Sequence, residues 1–433
     1  MTDISPVAAN PKSQELLERE TRKPKSPEGR NSEERSWGLR SKGCAIRVPE
    51  TKDHKAHSIE KRNENMGIEA KVALLPKEGF LLDVVHLTLP DPGPHEVLIR
   101  QFASGVCHSQ LHTMHRPRSQ PTLLGHESTG EVLQIGREVS HVQPGDHVMV
   151  TWVPRDAKAG ERYAGVPQLT LASGEAVACS NVFTWADHTL ADEQYVVKLD
   201  EDVDQLTTSI IGCAVMTGAG AVENSADVQP GQSVAVIGVG GVGLSAVVAA
   251  KARGASPIIA IDLDDEKLQF AKAMGATHLV NAAEEDPVEA VRRLTKRSDE
   301  WAFRGVEVAG ADFVFDCIGR RVTMEQAVPA VRSGFFGVSQ GGTAVLVGVP
   351  TTEMTLNASD LLMHEKRFIG SLGGSCTPDV DFPRYVDWVR SGRLDLDQMI
   401  TERFSLDQIN EATRALDAGE IKGRAILEFD PVG

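Results

Sequence analysis

The stretch Val234-Ala235-Val236-Ile237 followed by Gly238-Val239-Gly240-Gly241-Val242-Gly243 constrains the fold of this chain more than any other feature. Four uncharged aliphatic side chains in a row suit a strand buried on both faces, because a half-exposed strand alternates with polar residues. The glycines permit a tight turn, and the residues from Gly243 to Ala252 continue as a helix. Strand, glycine turn and helix in that order form a cradle for the pyrophosphate of a dinucleotide, whose charge meets the helix N-terminus. Gly238, Gly240, Gly241 and Gly243 are therefore candidate cofactor contacts. A second aliphatic strand, Ile258 to Ile261, ends at Asp262, nineteen residues beyond Gly243. A carboxylate there can accept hydrogen bonds from the adenosine ribose. Leu263 follows, with no Arg placed to hold a 2′-phosphate, so NAD is favoured over NADP. Two alternatives stand beside this reading: Asp262 as a cap of the next helix, and Lys267 as either a ribose contact or a solvated side chain.

The alternation continues downstream. A helix is expected over 265–274, strands at 313–315 and 344–347, and a helix near 324–331, which together describe a parallel sheet covered on both faces. Upstream, from 66 to about 214, short strands (68–75, 97–100, 130–136 and 147–150) are punctuated by turns such as Pro144-Gly145-Asp146. That spacing predicts a β-rich, barrel-like domain. Residues 155–178 are polar and irregular, and are expected to form a long surface loop. A helix near 382–391 and a closing strand 424–429 end the chain. The organisation expected is α/β, with a barrel-like domain from 66–214 and 372–433 and a doubly wound domain over 215–371.

Residues 1–65 are different in kind, with fourteen Lys/Arg against eleven Asp/Glu, much Ser, Pro and Asn, and no sustained periodicity. They bury too little apolar surface to offset chain entropy, so disorder is expected, with Met66 as a true or alternative start. The whole chain carries a formal charge of −16 and only 5% aromatic residues, which argues against a nucleic acid or an anionic membrane as partner. Ser233 to Ala250 is free of charge over eighteen residues, but its four glycines suit the strand-turn-helix rather than a membrane span. Six scattered cysteines without a CxxC pair read as reduced thiols of a cytoplasmic protein.

Three residues are candidate metal ligands: Cys107, His126 in Gly125-His126-Glu127, and Cys213. Two thiolates and one imidazole with a fourth position open make a catalytic zinc shell. Each also has a bland reading: buried free cysteine behaves as a small hydrophobe, and a histidine in a turn is often only hydrogen-bonded. A Lewis acid beside a hydride carrier suits interconversion of alcohols and carbonyl compounds.

Gly105-Val106-Cys107-His108-Ser109, Gly125-His126-Glu127, Gly212-Cys213, the glycine turn and Arg424-Ala425-Ile426-Leu427-Glu428-Phe429 occur in the order found in zinc-dependent medium-chain alcohol dehydrogenases. The resemblance runs from about residue 70 to 429. Asp312 to Arg320 and Val347-Gly348-Val349-Pro350 resemble the branch that includes the glutathione-dependent formaldehyde dehydrogenases. The resemblance implies a GroES-like catalytic domain, a Rossmann coenzyme domain, and reversible oxidation of an alcohol with NAD. It implies zinc on Cys107, His126 and Cys213, with Glu127 close by. Ser109 would take the hydroxyl proton and His112 would carry it to solvent. His108 and Arg424 would meet the pyrophosphate, Thr217 and Val242 the nicotinamide, and Trp152 the substrate. A homodimer or homotetramer acting on a small alcohol or aldehyde is implied too. Rival readings are a zinc-free quinone or enoyl reductase of the same superfamily and a non-catalytic NAD-binding protein.

The sequence departs from that family at two places. Relatives often hold a second, structural zinc on four closely spaced cysteines, but residues 154–167 contain none, so one zinc per chain is expected. Gln110 stands where an aspartate is common, and a neutral amide cannot orient and polarise His126 as a carboxylate does.

Overall fold

The computed structural model describes residues 67–156, 161–296, 309–334 and 339–430. The expectations for the tail 1–65 and for Met66 lie outside the described residues.

The first part is built from β1 (Ile68–Leu75), β2 (Asp83–Leu89), β3 (Glu96–Val106), α1 (His108–Met114), β4 (Thr122–Leu123), β5 (Ser128–Ile135) and β6 (His147–Val150). A short hairpin follows, β7 (Leu169–Thr170) and β8 (Ala176–Val177), then β9 (His188–Asp192) and β10 (Val196–Lys198). One sheet orders β2-β1-β4. A larger one orders β10-β6-β5-β3 and continues through the last two strands of the chain. The hairpin corrects the expectation of an irregular loop over 155–178. Leu169 and Val177 are buried opposite each other across a turn whose Gly174 has φ +85°, so two apolar anchors hold an otherwise polar excursion.

Between Thr207 and Ser225 the chain is continuously helical but not uniform. Ile211–Val215 is a wide i→i+5 turn, followed by a short regular helix α2 (Met216–Gly220). Such widened turns re-aim a side chain within a helix, and this one carries Cys213.

The second part alternates β11 (Val234–Ile237), α3 (Gly241–Ala252), β12 (Ile258–Asp262), α4 (Asp265–Met274), β13 (His278–Asn281) and α5 (Pro287–Leu294). It continues with β14 (Phe313–Asp316), α6 (Arg321–Ala330), β15 (Thr343–Leu346), α7 (Ala358–Met363) and β16 (Arg367–Gly370). All pairings in this six-stranded sheet are parallel, in the order β13-β12-β11-β14-β15-β16. Period-two alternation sends Val234 and Val236 into one core with Leu244 and Leu268. Ala235 and Ile237 enter the other, with Val291 and Val328. Both faces are thus covered, as the uninterrupted aliphatic strands require. This is the doubly wound Rossmann sheet, and the other sheets form the GroES-like part.

After α8 (Pro378–Arg390), α9 (Leu396–Met399), β17 (Ile400–Ser405) and α10 (Ile409–Asp417), the closing strand β18 (Arg424–Glu428) pairs antiparallel with β3. Register puts Ala425 opposite Val106, so the last strand lies against the residue before Cys107. No helix among the described residues is long and apolar enough to cross a membrane.

Candidate metal centre and cofactor cleft

Three separate pieces of chain meet at the candidate ligands. Cys107 is the junction between β3 and α1. His126 follows Gly125, whose φ is +90° and whose missing Cβ leaves room for Trp185 N, which would lie at 2.5 Å. Only glycine meets both conditions, so the turn that aims His126 depends on it. Cys213 comes from the wide helical turn. The sulphurs of Cys107 and Cys213 are 3.9 Å apart, and His126 Nε2 is 3.2 Å from Cys213 Sγ. Two thiolates on a tetrahedral zinc with bonds of about 2.3 Å stand roughly 3.8 Å apart. The donor set therefore fits that ion. The ligand atoms of Cys107, His126, Cys213 and Glu127 all lie within 4.8 Å of one another.

Both cysteines are buried, and their sulphurs are hydrogen-bonded to each other. The hydrogen bond from Cys213 holds Cys107 well below the usual thiol range, with His126 and Arg424 adding to the effect against burial. The same bond, with burial, pushes Cys213 well above that range. One sulphur is thus readied as a thiolate, the form a metal takes.

Glu127 is fully buried and sits beside the ligands without sharing their chemistry. One carboxylate oxygen accepts from the Arg424 guanidinium, and the other from Ala214 N at 3.2 Å. Arg424, 5% exposed, passes over the glycine turn, its Cδ lying 2.1 Å from where a Cβ on Gly241 would be. Its Nε is buried without a partner. One ion pair thus joins the turn bearing His126 to the β18 arginine that covers the glycine turn.

Ser109 Oγ donates to Cys107 Sγ at 3.3 Å. The rings of His108 and His112, one helical turn apart on α1, lie 5.5 Å from each other. Desolvation, then the neighbouring His112, lowers the His108 pKa below that of an ordinary histidine. Trp152 stands edge-on to His126 with ring centres 6.4 Å apart, and Gly373 closes over its far edge, where a Cβ would lie 3.3 Å from the ring. Trp152 Nε1 and Thr217 Oγ1 are buried and face the Cys213 sulphur. Both press Cys213 downward against the larger upward push.

The glycine turn has the shape its sequence suggests. Gly238 has φ +85°, and a Cβ on Gly243 would fall 1.9 Å from Gly238 O. Above Gly240 there is open space. Val242, half-buried, is the second residue of α3, and its carbonyl meets α2 at Gly218, next to Thr217. Asp262 Oδ2 accepts from Val239 N at 2.9 Å, and Oδ1 from Leu263 N at 2.8 Å. The cap of α4 is Asp264, which disposes of the capping alternative for Asp262. Lys267 Nζ lies 3.7 Å from the Cβ position of Gly419. An open cradle, a fixed acid and the unpartnered Arg424 Nε together fit a dinucleotide. Leu263, read in the sequence only as a position without Arg, and Ile318, not singled out there, expose aliphatic side chains, 66% and 36%, just past the ends of β12 and β14. The signal was an apolar residue one or two positions after a strand-ending aspartate.

Comparison with known proteins agrees with this geometry. Residues 93–201 match the alcohol dehydrogenase GroES-like domain family, and residues 241–391 the zinc-binding dehydrogenase family. The chain is 30% identical over 384 residues to S-(hydroxymethyl)glutathione dehydrogenase of Paracoccus denitrificans, covering 82% of this chain and 98% of that one. It is 29% identical to the class-3 alcohol dehydrogenase of Cereibacter sphaeroides, covering 82% and 98%. Among solved structures it superposes on benzyl alcohol dehydrogenase from Acinetobacter calcoaceticus with a TM-score of 0.72 at 28% identity, covering 84% of this chain and 100% of that one. The chain belongs to the zinc-dependent medium-chain alcohol dehydrogenase family. It is an oxidoreductase of the alcohol dehydrogenase type, acting on CH–OH donors.

Proposed function

We propose that this dehydrogenase uses NAD and one zinc ion per chain, with Cys107, His126 and Cys213 as the ligands. The observation that carries the reading is the 3.9 Å pair of sulphurs with His126 Nε2 beside them, linked through Glu127 and Arg424 to a glycine turn open above Gly240. Zinc supplies Lewis acidity that favours the deprotonated alcohol, and NAD supplies a hydride acceptor. The chain's own residues do the rest. Gly238, Gly240, Gly241 and Gly243 admit the pyrophosphate to the N-terminus of α3, with Arg424 lending positive charge and His108 a ring N–H donor. Asp262, already held by Val239 N, offers its remaining acceptor capacity to the ribose. Lys267, in the first turn of α4 after Asp262, is assigned as a further ribose contact. Thr217 and Val242 flank the nicotinamide end. Ser109 holds the substrate's proton, and His112, half-buried on α1, exchanges it with water. Trp152 narrows the pocket toward a slender or flat small-molecule alcohol or aldehyde.

The absence of cysteine from 154–167 supports a single zinc, and bidentate pairing of Arg162 with Asp192 holds the described residues from 161 onward. A homodimer or homotetramer is supported by β16 at the edge of its sheet and by Leu362 and Met363, exposed 77% and 63%, on α7. Free thiols at Cys107, Cys179, Cys213, Cys317 and Cys376 support a reducing, cytoplasmic setting. The test is a panel of primary, secondary and aromatic alcohols with NAD and with NADP on zinc-replete protein. Turnover with NAD is expected; no turnover with any alcohol or aldehyde would overturn the reading.

A further inference from the structure

Gln110 lies on α1, one turn from Cys107, and its amide spans two partners at once. Its Oε1 accepts from Gly125 N at 2.8 Å, and its Nε2 lies 2.5 Å from His126 Nδ1. The first contact decides the second. The Leu124–Gly125 peptide is pinned at its other end, because Leu124 O accepts from both Thr184 N and Trp185 N at 3.0 Å. Gly125 has no freedom to turn its N–H away, since its own φ is +90° against Trp185. The end of Gln110 facing Gly125 must therefore be the oxygen.

The NH2 group is then left facing His126. An amide nitrogen has no available lone pair and only donates, so the contact forms only if Nδ1 is the acceptor. Neutral imidazole has one acceptor and one donor nitrogen, which puts the ring proton on Nε2. Nε2 is the nitrogen that faces the two sulphurs, 3.2 Å from Cys213 Sγ. A metal on Nε2 needs the opposite tautomer, with the proton on Nδ1 and an acceptor to receive it.

A carboxylate at this position accepts from Gly125 N–H and from Nδ1–H together. An amide accepts from only one of them. We propose that Gln110 is a positioning residue that makes this metal site an exchangeable one: its anchored amide favours the histidine tautomer that opposes metal binding. Seating the ion requires the amide to turn over and leaves the Gly125 N–H facing another donor. This inference rests on the proposed zinc ligands and adds a property to them.

The test uses the full zinc-loaded chain and reads zinc release to an excess of a chromophoric chelator. Gln110→Asp is expected to slow release about 10- to 100-fold, the range typical of changes in groups that hold a metal-bound histidine. Release from Gln110→Asp at the wild-type rate or faster, in a protein with unchanged circular dichroism, would overturn the inference. A second measurement on the wild-type chain does not depend on the variant folding. Long-range ¹⁵N–¹H spectra of His126 are expected to show the Nε2–H tautomer after zinc is stripped and Nδ1–H with zinc bound. Nδ1–H in the stripped protein would overturn the inference while leaving the ligand assignment intact. A wild-type chain that takes up no zinc would overturn both.

Discussion

Replacing Arg162 with Met tests how the region lacking cysteines is held. Asp192 ends β9 with its side chain 1% exposed, and four donors converge on it. Arg162 Nη1 and Nη2 contribute hydrogen bonds of 2.7 and 2.6 Å, Gly165 N one of 2.9 Å, and Gln194 N one of 3.0 Å. Burial alone would raise the Asp192 pKa, but Arg162 and the two backbone N–H groups outweigh it and hold the carboxyl below its ordinary value. Breaking a buried pair by removing one partner costs about 3–5 kcal/mol. Arg162 is 29% exposed, and Asp192 keeps both backbone donors in the variant, so about 2–3 kcal/mol is expected here.

Most of that loss should be local, because the pair ties 161–178 to β9. The assay is hydrogen exchange of peptides from that segment, where protection should fall roughly 30- to 150-fold. The pH dependence has a definite sign. A depressed folded-state carboxyl stabilises above the unfolded aspartate pKa of about 3.9 and loses that stabilisation as pH falls through its own lower value. The gap between wild type and Arg162→Met should therefore be full near neutrality and close in acid below about pH 4. Exchange in 161–178 that is unchanged by the substitution, or a gap that widens in acid, would refute the reasoning.

Other expectations follow from the same geometry. Gly243→Ala puts a Cβ 1.9 Å from Gly238 O, so dinucleotide affinity by calorimetry should fall at least about tenfold, with zinc content unchanged. Trp152→Ala opens the space beside His126 and Gly373, so KM for bulky secondary and branched alcohols should drop relative to that for ethanol. Zinc retention near that of wild type would confine its role to the pocket. Glu127→Gln removes the charge that faces Arg424 in a fully buried place, and should lower the thermal midpoint measurably, since a buried guanidinium loses its counter-ion at a cost of about 3–5 kcal/mol.

The Rossmann part was legible because its central strands are buried on both faces and so are apolar throughout except for a polar residue at one end of three of them. The helix at 265–274 was bounded equally clearly, by the Asp264 cap and by Gly275 with φ +134°. Strands β13 and β16 escaped the sequence reading for the converse reason. As sheet edges they are only half-buried and include His278, Asn281 and Arg367, so the aliphatic signal is diluted. The ligand trio could not be read from local pattern, because a buried thiol looks the same whether it fills a core or holds a metal. Only the order of motifs shared with a family separated the two. What places Cys213 is a widened helical turn, and what places His126 is a peptide pinned between Gln110 and the chain at 184–185. Neither leaves a periodic trace. The Glu127–Arg424 and Arg162–Asp192 pairs join residues 297 and 30 positions apart, which no spacing rule connects.

The most direct test of the metal-dependent dehydrogenase is to measure bound zinc, NAD affinity and alcohol oxidation together in wild type and in Cys213→Ala. About one zinc per chain with turnover in wild type, and loss of both zinc and turnover in Cys213→Ala with NAD affinity retained, is the predicted result. A Cys213→Ala protein that keeps full activity, or an active wild type that holds no metal, would contradict it.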